Sequence, residues 1–318
     1  MIQTLTSIGT LVIQLVFVLT AAPLAAGMIR TVKARLQSRK GASIWQPSAD
    51  LIKLFKKEVV RSATSSWVFQ ATPTVVFVST LAVALLLPIL FKNVPLHWMG
   101  DIIAVIYLFG LGRFFLALAA LDTGSAFGGL GSSREMSVAS IVEPAMMLSI
   151  VSVAVTAGST DLSSIVQARL ANPSMTINPS QLLAFAGLYI VTIAETGRIP
   201  VDNPDTHLEL TMIHEAMILE YSGRDLAILE WAAQLKLFIF LTLLANMFFP
   251  VGLASDCSAL GVLTAIVLLL AKVLVLGLSV ALVESTNAKL RLFRVPELLM
   301  VAFILSLLGL ILHFIVGA

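Results

Sequence analysis

Eight long apolar runs restrict what this chain can fold into more than any other feature of its sequence. They lie near residues 8–29, 72–91, 101–121, 137–157, 180–196, 228–251, 259–283 and 297–316. A helix needs roughly 20 apolar residues to cross a hydrocarbon core of about 30 Å. Because 58% of the residues are hydrophobic and only 12% are charged, a soluble core cannot hold all of these runs. The sequence therefore predicts an all-α polytopic membrane protein with about eight transmembrane helices.

The apolar runs carry more ionisable side chains than passive anchors would. These residues are Arg113, Glu143, Glu195, Glu230, Lys236 and Lys272, with Glu284 at the end of the seventh run. A charge in the middle of a membrane costs at least about 2.5 kcal/mol on insertion scales, so such groups usually pair with one another or line a hydrated path. Both interpretations stay open here: internal pairing, for instance of Lys236 with a neighbouring glutamate, and a proton relay built from carboxylates and amines.

Lysine and arginine are distributed unequally between alternate loops. The loops after the first, third, fifth and seventh runs hold 15 of the 20 basic residues, whereas the opposite loops hold only Lys92 and Arg169. Cytoplasmic loops carry the basic excess in membrane proteins, so we expect both termini on the outer side. No charge precedes Arg30, which predicts a retained first span instead of a cleaved signal. Since no repeat or linker divides the chain, we predict one membrane domain over residues 1–318.

Several common kinds of site are excluded by residue counts and spacing. Cys257 is the only cysteine, so a disulfide, a four-cysteine zinc site and an iron-sulfur cluster cannot form within the chain. The glycine-rich stretch at 121–144 lacks the Gly-Lys-Ser/Thr of a phosphate-binding loop. His214-Glu215 lacks the second histidine of a zinc peptidase helix, since Ile218 stands in that position. Any redox metal must therefore belong to a partner.

The first cytoplasmic loop combines a basic cluster with a short amphipathic helix that we expect to begin near Ser48 or Asp50. Its apolar side is predicted from Leu51, Ile52, Leu54 and Phe55, while Lys53, Lys56 and Lys57 project elsewhere. Such a segment lies in the membrane interface. Attraction of its basic residues to anionic lipid is one interpretation, and a docking platform for a cytoplasmic subunit is the other.

Residues 194–225 concentrate acidic side chains as the first loop concentrates basic ones. The acidic residues are Glu195, Asp202, Asp205, Glu209, Glu215, Glu220 and Asp225, against Arg198 and Arg224. Crowded carboxylates repel one another, which favours proton binding and exchange. An ordinary solvated acidic loop is the alternative. Apolar residues such as Leu208, Ile213 and Met217 interleave with the acids, so we expect the segment to fold against the membrane domain.

Three motif regions in matching order resemble one family. The run RKGASIWQPSADLIKLFKKE at 39–58 is similar to the first cytoplasmic loop of the membrane subunit that borders the quinone chamber in respiratory complex I. That family also includes the membrane anchors of [NiFe]-hydrogenases. The loop is short, with only four residues between the Arg-Lys-Gly and Gln46, as in the hydrogenase branch. The stretch at 121–144, including Asp122, Arg134, Glu135 and Glu143, also resembles that branch. AETGRIPVD at 194–202 is similar to the signature shared by both branches.

The resemblance implies a proton-pathway membrane anchor subunit of an energy-converting [NiFe]-hydrogenase of formate hydrogenlyase type, in the cytoplasmic membrane of a prokaryote. Such a chain is a non-redox subunit of an oxidoreductase complex, without a catalytic metal of its own. The nickel-iron centre and the iron-sulfur clusters are expected in partner subunits. The predicted partners are the hydrogenase large and small subunits, iron-sulfur subunits, antiporter-like membrane subunits and the lipid bilayer, with no nucleic acid.

The site residues follow from the charges in the spans and from the family motifs together. The predicted proton pathway comprises Glu143, Glu195, Asp202, Asp205, Glu209, Glu215, Glu220, Glu230, Lys236 and Lys272. The predicted docking or charge-pairing residues are Arg35, Arg39, Lys40, Arg134, Arg198 and Tyr221.

Departures from the family pattern in the acidic segment keep other functions in view. Val201 stands where an aromatic residue is usual, Asp205 and His207 stand where Glu is usual, and about three extra residues precede Glu220. These changes count against a quinone site. The nearest alternative is nevertheless the quinone-binding membrane subunit of a complex I-type NADH or ferredoxin dehydrogenase. A free-standing transporter or channel is a second alternative, for which inverted repeats would be expected.

Overall fold

A computed structural model describes residues 2–62, 64–172, 178–203, 212–255 and 258–316. The helices in these ranges are α1 (Ile2–Leu36), α2 (Gln46–Phe55), α3 (Trp67–Leu86), α4 (Ile102–Asp122), α5 (Ala126–Ala157), α6 (Leu162–Ala171), α7 (Pro179–Glu195), α8 (His214–Ile218), α9 (Gly223–Phe248), α10 (Ala259–Thr286) and α11 (Val295–Val316). Short 3-10 turns add His97–Met99 and Leu292–Arg294.

The predicted fold class is confirmed, because a helix covers most of every apolar run. Within the described ranges, seven helices are long and apolar enough to cross a membrane, namely α1, α3, α4, α5, α9, α10 and α11. The fifth run forms α7, an apolar helix of 17 residues that is shorter than the other seven. α5 continues through Pro144 as one helix of 32 residues, so the fourth run is not broken there.

α9 lies at the centre of the bundle and contacts α1, α3, α7 and α10. Nearly every side chain from Gln234 to Phe248 is buried, as expected for a helix that is apolar on all sides. α5, α7 and α11 pack together on one flank, and α3 pairs with α4 on another. The outward faces of α10 and α11 expose leucine, isoleucine and valine, which fits contact with lipid tails.

The helices alternate in direction, so alternate loops lie at opposite ends of the bundle. The two ends differ in charge because the basic residues are concentrated at one of them. We call the end that carries α2, α8 and the turn after α7 the basic side, because the loops at this end hold 15 of the 20 basic residues. The opposite end, which carries α6 and the ends of α3 and α9, is called the far side. α6 was not predicted from hydropathy, since its ten residues are too few for a span.

α2 corrects the expected details of the amphipathic helix. It begins at Gln46, with Pro47 in the first turn, instead of at Ser48 or Asp50. Proline is favoured there because its fixed φ matches the helix and its missing N–H is not needed. Leu51 is buried and Phe55 meets Trp231 of α9 edge to face at 6.2 Å, whereas Ile52 of the predicted apolar side is exposed. The aromatic contact fixes α2 against the bundle.

Candidate functional site

Arg113 of α4 is buried among three carboxylates inside the membrane domain. Its Nη1 lies 2.6 Å from Oε1 of Glu143, its Nε lies 3.6 Å from Oε1 of Glu135, and its Nη2 bonds Glu195. The other oxygen of Glu195 lies 2.7 Å from Nζ of Lys236. We call these five residues the central cluster. It joins α4, α5, α7 and α9 through charge.

Glu195 explains why two cations meet at this point. It is the last residue of α7, where the helix dipole places partial negative charge and disfavours a carboxylate. Its side chain is only 2% exposed, so water compensates this cost only weakly. Arg113 and Lys236 supply the compensation, one at each oxygen. Breaking such a buried pair by removing one partner typically costs about 3–5 kcal/mol.

The central cluster has an excess of acid. Three carboxylates against two cations leave a formal charge of −1 when all five groups are ionised. Uptake of one proton would therefore neutralise the cluster without leaving an unpaired cation. A cluster with this balance, buried except at Glu143, can accept and release a proton, which is the chemistry that a relay requires.

A second set of ion pairs lies nearer the basic side. Glu284 of α10 bonds Arg198 at 2.8 Å and Lys33 of α1 at 3.1 Å. Asp202 bonds Nζ of Lys289 at 3.0 Å. The predicted pairing of Arg198 is therefore present in the structure, with Glu284 as its partner.

Asp202 also stabilises the folded position of the described part of the acidic segment, residues 194–225, through backbone hydrogen bonds. Its Oδ2 accepts the backbone N–H groups of Ile213 at 3.2 Å and His214 at 3.1 Å. Tyr221 closes the other end of the segment, since its ring stacks on Phe69 of α3 at 4.0 Å and its hydroxyl donates to the Phe69 carbonyl at 3.0 Å. The described part of the segment is thus folded against the membrane domain, as its apolar residues predicted.

Two adjoining cavities link the basic side to the central cluster. The larger, of about 300 Å³, is lined by Arg30, Lys33 and Arg39 at one end and reaches Glu195. The smaller, of about 70 Å³, reaches Arg113 and Glu135. Both are lined by His214, Glu215, Glu230, Ala233 and Lys236. Of the 19 described residues that line the larger cavity, 11 are ionisable, which suits water and protons.

The structure brings most of the predicted pathway residues together. The central cluster and the two cavities contain Glu143, Glu195, Asp202, Glu215, Glu230 and Lys236. Glu220 is exposed and lines neither cavity. Asp205 and Glu209 lie outside the described residues. Lys272 is separate from both cavities, and its Nζ donates to Asn246 Oδ1 at 2.8 Å and to the Phe249 carbonyl at 2.9 Å.

The predicted docking residues fall into two groups. Arg35, Arg39 and Lys40 are exposed at and beyond the end of α1, where a partner can reach them. Arg134 and Tyr221 instead serve contacts within the chain: Arg134 donates to the Met212 carbonyl at 2.9 Å, and Tyr221 is buried. Burial raises the pKa of the Tyr221 phenol well above its usual range, so it is neutral at physiological pH.

Sequence reasoning left six residues of the site out of its predicted set: Arg113 and Glu284, noted only as charges in or at the end of apolar runs, and Glu135, Lys33, Lys289 and His214. Glu135 stands within the 121–144 motif and eight residues before Glu143, a signal that could have identified it. Lys33, Lys289 and His214 gave no comparable signal, because their partners are distant in the chain. Only the fold places them beside the acidic segment.

Comparison with known proteins gives concordant matches over nearly the whole chain. A family profile described as NADH dehydrogenase matches residues 8–314. Formate hydrogenlyase subunit 4 of Escherichia coli (strain K12) is 35% identical over 291 residues, which covers 92% of this chain and 94% of that protein. Hydrogenase-4 component C of the same strain is 36% identical over 296 residues, covering 93% and 92%.

Matches to respiratory dehydrogenases are shorter. One subunit of the NADH-quinone oxidoreductase of Syntrophotalea carbinolica is 31% identical over 266 residues, which covers 77% of this chain and 79% of that one. Among solved structures, a chain of the membrane-bound sulfane sulfur reductase, an archaeal respiratory membrane complex, superposes with a TM-score of 0.83 over 96% of this chain and 99% of its own. At 22% identity this likeness concerns the fold alone.

Proposed function

This chain belongs to the family described as NADH dehydrogenase, and from that membership we propose that it is the proton-pathway membrane anchor of an energy-converting [NiFe]-hydrogenase complex of formate hydrogenlyase type. Two hydrogenase relatives match over more than 90% of the chain, whereas the S. carbinolica dehydrogenase subunit matches over 77%. This difference favours the hydrogenase branch over the quinone-binding alternative.

The observation that carries the proposal is the cavity lined by ionisable groups that joins the basic side to the central cluster. Asp202, Glu215 and Glu230 line the larger cavity together with Glu195, and a proton that enters this cavity has these carboxylates as acceptors. The excess carboxylate of the central cluster then holds it. Electron transfer in a docked partner would shift the charge balance at the cavity mouth and so change the proton affinity of these carboxylates.

Glu143 is the point at which protons leave this chain in the proposed pathway. Its side chain is 44% exposed although it lies in the middle of α5, so this chain does not cover the whole carboxylate. A carboxylate facing lipid is costly, and a neighbouring subunit would cover it. We place an antiporter-like membrane subunit against this face. Protons then leave sideways from Glu143 into that partner, while Arg113 stays protonated and holds the carboxylates in place.

The soluble partners dock on the basic side. Arg35, Arg39, Lys40 and the exposed face of α2 present positive charge there. In this arrangement the hydrogenase large and small subunits and the iron-sulfur subunits lie in the cytoplasm, and both termini lie on the outer side of a prokaryotic inner membrane. The nickel-iron centre and the clusters supply the redox chemistry in those partners. This chain holds and moves the protons, and a quinone is not part of the proposal.

Substitution in the assembled complex tests the pathway. We expect Glu195→Gln and Glu143→Gln to abolish proton translocation, measured with a pH-sensitive dye in proteoliposomes during hydrogen evolution, while the complex still purifies with all its subunits. Glu220→Gln is the matched control, since Glu220 is exposed and lines neither cavity.

Two results would contradict the proposal. Normal translocation in both the Glu195 and the Glu143 variants would remove the central cluster from the pathway. A purified complex that contains no nickel and reduces quinone with NADH would instead establish the dehydrogenase alternative.

A further inference from the structure

Two cations lie on the far side, away from the central cluster, and both bind the end of α9. Arg169 of α6 donates from Nη1 to the Met247 carbonyl at 2.7 Å, and its guanidinium lies 5.4 Å from the Phe248 ring. Lys272 of α10 donates to the Phe249 carbonyl at 2.9 Å and to Asn246 at 2.8 Å. The two side chains therefore approach the same helix terminus from different elements.

These cations are well separated from the proton pathway. Lys236 and Phe248 are twelve positions apart on α9, and Lys272 and Glu284 are twelve positions apart on α10. At 1.5 Å per residue, each interval spans about 18 Å. Lys272 thus lies more than half a hydrocarbon thickness from the ion pairs of the basic side.

Neither cation has a carboxylate partner within ion-pair distance among the described residues. Their described bonds go to carbonyl and amide oxygens, and Gln181 accepts from Arg169. Burial lowers the pKa of Arg169 to about 10, so the guanidinium remains protonated at neutral pH. The end of a helix offers only about half of a negative elementary charge. The direct contacts of Arg169 and Lys272 therefore compensate their positive charges only in part, whereas the central cluster has excess negative charge.

Two polar side chains of α9, Thr242 and Asn246, lie between Lys236 of the central cluster and the far-side end of the helix. Thr242 of α9 is buried, and its hydroxyl has no hydrogen-bond partner in the described structure. It lines a cavity of about 10 Å³ together with Asn246, which contacts Lys272. Such a volume holds about one water molecule, and a buried hydroxyl without a partner favours its presence. Hydration at this point would bring protons close to the outer surface.

We propose that Arg169 and Lys272 form an electropositive seal that prevents protons from leaking across the far side of this chain. The inference rests on the proposed function, because a seal is needed only where a proton pathway enters the same bundle. Each positive charge raises the energy of a hydronium ion at the Thr242 cavity, and low surrounding polarity strengthens the effect. In this role Lys272 repels protons, in contrast to the carrier role that its place in an apolar run suggested.

Passive leak through the intact complex is the direct test. Proteoliposomes containing the whole complex, without electron donor, receive a potassium diffusion potential through valinomycin, and proton entry is followed with an internal pH dye. We expect Lys272→Gln to raise the leak about tenfold, since one unit charge is lost in a medium of low polarity. Lys272→Arg keeps the charge and should stay within about twofold of the wild type.

A second variant guards against failure of the first to assemble. Asn246→Asp places a carboxylate beside Nζ of Lys272, at the position now 2.8 Å away, and so neutralises the charge while Lys272 remains. We expect the same rise in leak. The measurement needs no turnover, so its result is independent of whether Glu195→Gln abolishes driven translocation.

Three outcomes would overturn the seal. These are an unchanged leak in Lys272→Gln and Asn246→Asp, an equal rise in Lys272→Arg, and a loss of driven translocation in Lys272→Gln at normal leak. The first would show that the charge does not matter, the second that packing and not charge is responsible, and the third that Lys272 carries protons.

Discussion

The ion pair between Glu195 and Lys236 allows a quantitative test of the central cluster. In Glu195→Gln, Lys236 loses the carboxylate 2.7 Å from its Nζ, while Arg113 keeps Glu143 and Glu135. Breaking a buried pair costs about 3–5 kcal/mol, and the remaining partners of Arg113 place this variant near the lower end, at about 3 kcal/mol. In Lys236→Met, Glu195 keeps Arg113, so we expect about 2 kcal/mol.

The double variant separates the pair from its surroundings. With both charges removed, no cation is left unpaired, so we expect a loss of about 3 kcal/mol instead of the roughly 5 kcal/mol that independent effects would give. The difference, about 2 kcal/mol, is the coupling energy. It can be measured as free energy of unfolding in mixed micelles titrated with a denaturing detergent. Fluorescence of Trp231, which lies between Phe55 and Phe77, reports unfolding of α9.

Additivity would refute the reasoning. If the double variant lost the sum of the two single losses within about 0.5 kcal/mol, Glu195 and Lys236 would not be energetically coupled. Glu220→Gln serves as the control, because an exposed carboxylate should change the unfolding free energy by no more than about 0.5 kcal/mol.

Two further predictions concern the acidic segment. Tyr221→Phe should lose about 1 kcal/mol of unfolding free energy at neutral pH with its hydrogen bond to Phe69. Because folding raises the pKa of this phenol, its stabilising effect is complete below the ordinary tyrosine pKa of about 10 and is lost as the pH rises further. The prediction would be contradicted if the unfolding free energy of the wild type depended on alkaline pH no more than that of the variant. Arg61 of the first loop lies 2.9 Å from Asp225 of α9, and Arg61→Ala should open this contact. We expect trypsin cleavage at Lys56 and Lys57 to increase by at most about fivefold, because the arginine is partly exposed and its ion pair is therefore weak. Arg224→Ala is the control, and equal cleavage in both variants would show that the ion pair does not hold the loop.

Local patterns in the sequence were sufficient to locate the apolar helices and to choose the family. Hydropathy located all eight apolar helices, and the motifs at 39–58, 121–144 and 194–202 indicated the hydrogenase branch from residue identity and spacing alone. Boundaries were less accurate, because Pro47 moves the start of α2 to Gln46 and hydropathy gives no signal for a short helix such as α6.

The sequence by itself determined which groups are costly in a membrane, since an ionisable residue in an apolar run is visible without coordinates. Only the tertiary structure decided what each of them does. Glu143, Glu195 and Lys236 surround Arg113, whereas Lys272, in a run of the same character, reaches the end of α9 instead. The reason is physical: the free energy of a buried charge depends on the oxygens and nitrogens within about 4 Å, and helices far apart in the chain supply them.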